Sequence, residues 1–130
     1  MPIVLQPASW PTPKGYANAV QANGPFIFVA GMVGWTGQGE WQTDDFVGQA
    51  KQALQNIVET LACGGAGPQH VVRMTWYVKS KAEYLANSQA LGAVYREVMG
   101  REFAAMTLVE VSDLVEDRAK LEIEVTAALG

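Results

Sequence analysis

The sequence predicts an α+β fold, a mixed sheet with two helices on one face, in a single domain spanning residues 1–130. Three observations carry that expectation. The length of 130 residues suits one hydrophobic core. Apolar residues recur at helical spacing in two stretches and alternate with polar ones in several others. Turn-forming residues divide these stretches into the order β-β-α-β-α-β-β, in which two helices suffice to cover one sheet face.

Each element has its own signal. Prolines at positions 2, 7, 11 and 13 remove backbone donors and fix φ, so residues 1–14 read as an irregular lead-in with one short edge strand. Residues 16–22 and 25–31 are β-compatible runs flanking Asn23-Gly24, which predicts a hairpin. Residues 31–40 hold glycines at 31, 34, 37 and 39 around Trp35 and form a loop whose backbone can approach a ligand. Thr43 is the expected N-cap of a first helix, followed by Asp44 and Asp45 and by Phe46, Ala50, Ala53, Leu54, Ile57, Val58 and Leu61 at helical spacing. Gly64-Gly65 ends it.

From His70 the period changes to two, with Val72, Met74, Trp76 and Val78 on one face and Val71, Arg73, Thr75 and Tyr77 on the other. Ser80 and Glu83 form a capping box for a second helix that runs to an αL cap at Gly100. Residues 104–112 and 119–129 are the last strands. In the second of these Glu122 and Glu124 share a face.

Composition narrows the function. Nine Lys and Arg against thirteen Asp and Glu give a net charge of −4, the wrong sign for a phosphate-neutralising surface, so nucleic acid is not the expected partner. No apolar run approaches the roughly 20 residues of a membrane span, and no basic segment precedes one as in a secretory signal. A cytoplasmic protein without a membrane partner is expected. One cysteine and one histidine exclude an internal disulfide and a Cys/His zinc cluster, so no metal is expected. The composition is 49% hydrophobic and only 17% charged. The uncovered sheet face is therefore expected to pack against other copies of the chain.

Most candidate chemistry falls away on inspection. The spacing Gly34-x-x-Gly37-x-Gly39 has no Lys-Ser/Thr sequel, and Asp44 and Asp45 would repel phosphate. The Gly64-Gly65-Ala66-Gly67 run follows a helix and precedes a strand, the reverse of what an anion site needs. His70 begins a strand, no Gly-x-Ser-x-Gly elbow exists, and Cys63 falls at the negative end of its helix. Glu122 and Glu124 remain. Paired carboxylates on a strand ordinarily mean a solvated face, but on an interior strand near a subunit boundary one of them is placed to orient or deprotonate water.

The segments Lys14-Gly15-Tyr16-Ala17-Asn18-Ala19-Val20, Phe28-Val29-Ala30-Gly31, His70-Val71-Val72-Arg73-Met74-Thr75, Ala104-Ala105-Met106-Thr107-Leu108-Val109-Glu110-Val111 and Leu121-Glu122-Ile123-Glu124 resemble the RidA (YjgF) family of enamine/imine deaminases over nearly the whole chain. The resemblance implies a chorismate-mutase-like subunit in a homotrimer, its sheets lining a central barrel and its ligand clefts lying between subunits. It implies hydrolysis of reactive enamines and imines to a 2-oxo acid and ammonia, with neither cofactor nor metal. It also implies Glu122 as the catalytic, water-positioning residue. Tyr16, Gly31, Met32, Trp35, Met106 and Thr107 are the implied substrate-binding positions.

The chain departs from the family pattern where a carboxylate should be held. Typical members read Pro-Ala-Arg-Ser where this chain has Ala104-Ala105-Met106-Thr107, and Ser-Gly-Gln where it has Ala30-Gly31-Met32. An asparagine of the second helix corresponds to Gly92. Arg73, Arg96, Arg101 and Arg118 are the available substitutes for the missing charge. The expected function is thus a RidA-like hydrolase with altered specificity. A non-catalytic trimer that binds a small molecule is the alternative, and a ribonuclease or translation-inhibitor activity is the third reading, disfavoured by the negative charge.

Overall fold

The computed structural model describes residues 2–130. Strands Ile3–Leu5 (β1), Ala19–Gln21 (β2) and Phe26–Met32 (β3) precede helix Phe46–Ala62 (α1). Strand Val71–Val78 (β4), helices Lys81–Ala86 (α2) and Ser88–Met99 (α3), and strands Ala105–Glu110 (β5) and Leu121–Ala128 (β6) complete the chain. The main sheet has the order β3-β6-β4-β5. Its β4/β5 pair is parallel and the other two pairs are antiparallel, so the sheet is mixed. No helix of the described residues is long and apolar enough to cross a membrane.

The core lies between the sheet and the helices. Phe46, Ala50, Ala53, Leu54, Ile57 and Leu61 of α1 meet Met74, Trp76 and Val78 of β4 and Leu121, Ile123 and Val125 of β6, all buried. Leu91, Tyr95 and Met99 of α3 close the same core over β4 and β5. Gln49 is fully buried among these apolar residues, and its amide is satisfied on both sides. Its Nε2 donates to the carbonyls of Thr43 and Arg118, and its Oε1 accepts from the Lys120 amide at 2.9 Å. This amide fastens the start of α1 to the segment entering β6.

Several local expectations are corrected. The hairpin at Asn23-Gly24 does not form: β2 pairs with β1, and β3 pairs with β6. A two-residue turn there would be closed by the amide of residue 25, and Pro25 has none. On β4 it is Val71, not Val72, that is buried, because a bulge against β6 between Val71 and Arg73 inserts one residue and shifts the alternation.

The second helix is two helices. Asn87 leaves the helical region (φ −111°, ψ 14°) while its side chain donates to the Glu83 carbonyl at 2.8 Å, the local competition by which asparagine ends a helix. Gly100 ends α3 at φ 78° and ψ −154°, a glycine conformation other than αL. The N-cap of α1 is Asp45, whose carboxylate accepts from the Gly48 amide at 2.8 Å. Thr43 sits outside it and accepts from the Asp45 amide.

Candidate active site

Period two along β6 turns Leu121, Ile123 and Val125 into the core and leaves Glu122 and Glu124 on the open face. The two carboxylates differ in what they touch. Glu124 accepts a 2.6 Å hydrogen bond from the Tyr77 hydroxyl, which raises the Tyr77 pKa above its ordinary value. Glu122 is half-buried and its carboxylate has no hydrogen bond or ion pair among the described residues. It lies against Gly31, where an added Cβ would collide with its carboxylate. The approach is made by a bulge in β3 between Val29 and Met32, opposite Val125 and Ile123, which brings the glycine backbone under the side chain.

Tyr16 and Met106 stand together elsewhere. The Ala17 amide donates to the Ala104 carbonyl at 2.9 Å and Ala17 bridges Ala105, pinning Tyr16 beside the start of β5. Met106 is paired with the buried Met74 and so faces the helices. Both line a cavity of about 310 Å³ between β4, β5 and α3, with Lys14, Trp76, Tyr95, Arg96 and Phe103 among its walls. Tyr95 and Phe103 stack with ring centroids 5.8 Å apart.

The Trp76 indole nitrogen and the Tyr95 hydroxyl are buried without a hydrogen-bond partner among the described residues. Each such orphan costs about 1–3 kcal/mol relative to a satisfied group. Burial pushes the Tyr95 pKa up to about 12, so the phenol remains a proton donor at neutral pH.

Met32 and Trp35 line a third place, a hollow of about 360 Å³ against α1. The Asn56 amide holds this loop by donating to the carbonyls of Val33 and Trp35, the latter at 2.7 Å. Trp35 packs on Trp41, over which Arg118 lies while it pairs with Asp44 at 3.0 Å. Thr107 pairs with Thr75 on the exposed side of β5, away from Met106.

One chain therefore does not assemble the sequence-predicted site. Glu122 pairs with Tyr77 and Tyr77 with Val109, so Glu122 and Met106 are separated by two strand spacings, about 10 Å, and by three residues along β5, about another 10 Å. They also lie on opposite sheet faces. Sequence reasoning picked out Tyr16 and Met106 but not the cavity walls Trp76, Tyr95 and Phe103, whose apolar periodicity reads as plain core.

Among the described residues no three His, Cys, Asp or Glu side chains cluster as a metal site. His70 is a local cap: its Nδ1 accepts from the Gly67 amide at 3.0 Å. Cys63 lies exposed at the end of α1.

Residues 8–129 match the family described as Endoribonuclease L-PSP. A RutC family protein of Pyrococcus horikoshii is 34% identical over 119 residues, covering 90% of each chain. Another, from Synechocystis, is 33% identical over 132 residues, covering 97% of this chain and 95% of the relative. Among solved structures, the Rid family protein YyfB of Yersinia pestis, described as of unknown function, superposes with a TM-score of 0.87 at 32% identity and 98% coverage of both chains. The YjgF gene product of E. coli gives 0.70 at 25% identity and 90% coverage of both. The shared mixed sheet and its sequence agreement place this chain in the RidA/YjgF family.

Proposed function

We propose that the protein hydrolyses a small reactive imine or enamine in the cytoplasm, as a closed homotrimer, with a specificity altered by Met106 at the position where typical relatives carry arginine. The observation that carries this reading is the unpartnered, half-buried Glu122 carboxylate held over the Gly31 backbone. A carboxylate with no other partner is free to accept a hydrogen bond from water.

In the proposed reaction the water oxygen bonds to the carbon of the protonated imine while Glu122 takes one water proton, giving a neutral carbinolamine. Glu122 then returns that proton to the amino nitrogen. The C–N bond breaks, ammonia departs with the bonding pair, and the hydroxyl proton passes to the Glu122 carboxylate and on to solvent, leaving a carbonyl. Neither a metal nor an organic cofactor enters this scheme.

A thioether at position 106 supplies dispersion and a weak acceptor, where a guanidinium would supply two parallel charge-assisted hydrogen bonds. Small imino acids are consequently expected to be poor substrates. The experiment is an imine-loss assay with 2-iminopropionate generated in situ, run on wild type, Glu122→Gln and Met106→Arg. Wild type is expected to turn over slowly, Glu122→Gln to lose at least about 100-fold, and Met106→Arg to gain. Equal turnover in wild type and Glu122→Gln would overturn the catalytic role. It would favour the second reading, a non-catalytic trimer binding a small molecule in the aromatic-walled cavity.

A further inference from the structure

We propose that the cavity between α3 and β5 binds a carboxylate attached to an aromatic body, and that Arg96, from the outer turn of α3, is its anchoring cation. The inference deepens the proposed function and rests on that reading only for what happens to the ligand afterwards. Four observations converge on it.

Arg96 and Lys14 both line the cavity, and neither side chain has an ion pair or hydrogen bond among the described residues. Lys51, Lys79, Arg118 and Lys120 have acidic partners, and the other cations without an ion pair among the described residues, Arg73, Lys81 and Arg101, do not line this cavity. Two unpaired cations at one cavity mouth favour an anion. Arg96 can also grip a planar carboxylate through two parallel N–H groups.

Gly92 lies one helical turn before Arg96 on the same face. A Cβ at Gly92 would stand 3.4 Å from Arg96 Nη1. A larger side chain at 92 would therefore crowd the guanidinium. The absent side chain and the arginine behave as one feature of a cavity that Met106, which carries no charge, also lines.

The walls specify the body of the ligand. Trp76, Tyr95 and Phe103 are aromatic, and offset or edge contacts with such rings favour an aromatic guest over a short aliphatic one. The volume of about 310 Å³ sits at the small end of ligand pockets, which limits that guest to one ring system. Finally, Trp76 and Tyr95 line the cavity, and their buried indole nitrogen and hydroxyl have no acceptor among the described residues. A carbonyl or carboxylate oxygen is the kind of group they lack, reachable by a small shift of either ring.

The test is calorimetric titration of the intact protein with phenylpyruvate, with phenylacetone, which keeps the ring and ketone but lacks the carboxylate, and with 2-oxobutyrate, which keeps the carboxylate but lacks the ring. Phenylpyruvate is expected to bind about tenfold or more tightly than either. Arg96→Met is expected to weaken it by about the same factor, Arg96→Lys by less, and Gly92→Asn to resemble Arg96→Met. Equal affinity for phenylpyruvate and phenylacetone in wild type would overturn the proposal without any variant. So would an unchanged Kd in a folded Arg96→Met protein, or no binding at millimolar ligand.

Because these ligands are not turned over, the outcome is separable from the fate of the deaminase reading. Binding through Arg96 in a protein that hydrolyses no imine would sink that reading and leave this one standing. Hydrolysis of small imines by a protein indifferent to Arg96 would do the reverse.

Discussion

A methyl group at position 31 would occupy the space of the Glu122 carboxylate, and the contact falls on the flexible end of that side chain. Gly31→Ala is therefore expected to swing the carboxylate aside at little cost to the fold, since the backbone there does not need a positive φ. Turnover is expected to drop by about 100-fold, the effect of a roughly 1 Å misplacement of a reacting group. The melting temperature should stay close to that of wild type. An imine-loss assay beside a thermal melt checks this, and full activity in Gly31→Ala would show that the carboxylate's position over Gly31 is immaterial. That Glu122 and Glu124 share a face was readable from period two alone. Which of them is free was not, because the Tyr77 hydroxyl that occupies Glu124 comes from 47 residues away and is brought there by strand register.

Helix α1 gains its first turn from Asp45, whose carboxylate accepts from the Gly48 amide, one of the donors a helix start leaves unpaired. Asp45→Ala is expected to destabilise the protein by about 1 kcal/mol in urea unfolding. Thr43→Ala should cost less, since its hydroxyl accepts only from the Asp45 amide outside the helix. The reverse order would put the cap at Thr43. The existence of this helix was legible because its apolar spacing is long and regular, whereas its boundary was not, because Thr43, Asp44 and Asp45 are all residues that cap. The same limit explains Asn87, where apolar periodicity runs through a break made by one side-chain hydrogen bond. At Pro25 the opposite happened: Asn23-Gly24 is a strong hairpin signal, overruled by a proline without an amide, which was plain in the sequence.

The sheet leaves one face without helices, and on it Phe28 is 77% exposed, near Arg73, Thr75 and Glu124. Sequence alone indicated that this face lacked cover, because two helices cannot wrap both sides of the sheet. It did not indicate that Glu122 would open onto this side while Met106 opens onto the other, since that depends on strand order and on the bulge in β3. If a single site is to use both, the groups must come from two chains, each presenting its Glu122 side to its neighbour's cavity side. Closed cyclic symmetry makes that arrangement repeat without leaving an unpaired surface. The family resemblance implies three copies, so the expected state in solution is a homotrimer, to be read by light scattering on a size-exclusion column at micromolar concentration; a wild-type monomer there would overturn it. Phe28→Asp is the informative variant. Burying a phenylalanine contributes about 1.5–3 kcal/mol per copy, and desolvating a carboxylate at the interface adds a further penalty, so three copies at one assembly are expected to shift the protein to monomer. Its 77% exposure in the single chain means that the substitution removes little from the subunit's own core. A folded Phe28→Asp monomer should then lose imine hydrolysis although it keeps every residue of both half-sites, because Glu122 no longer faces a neighbour's cavity. A folded monomer with wild-type turnover would mean that one chain is catalytically complete, and the two-chain site would have to be abandoned.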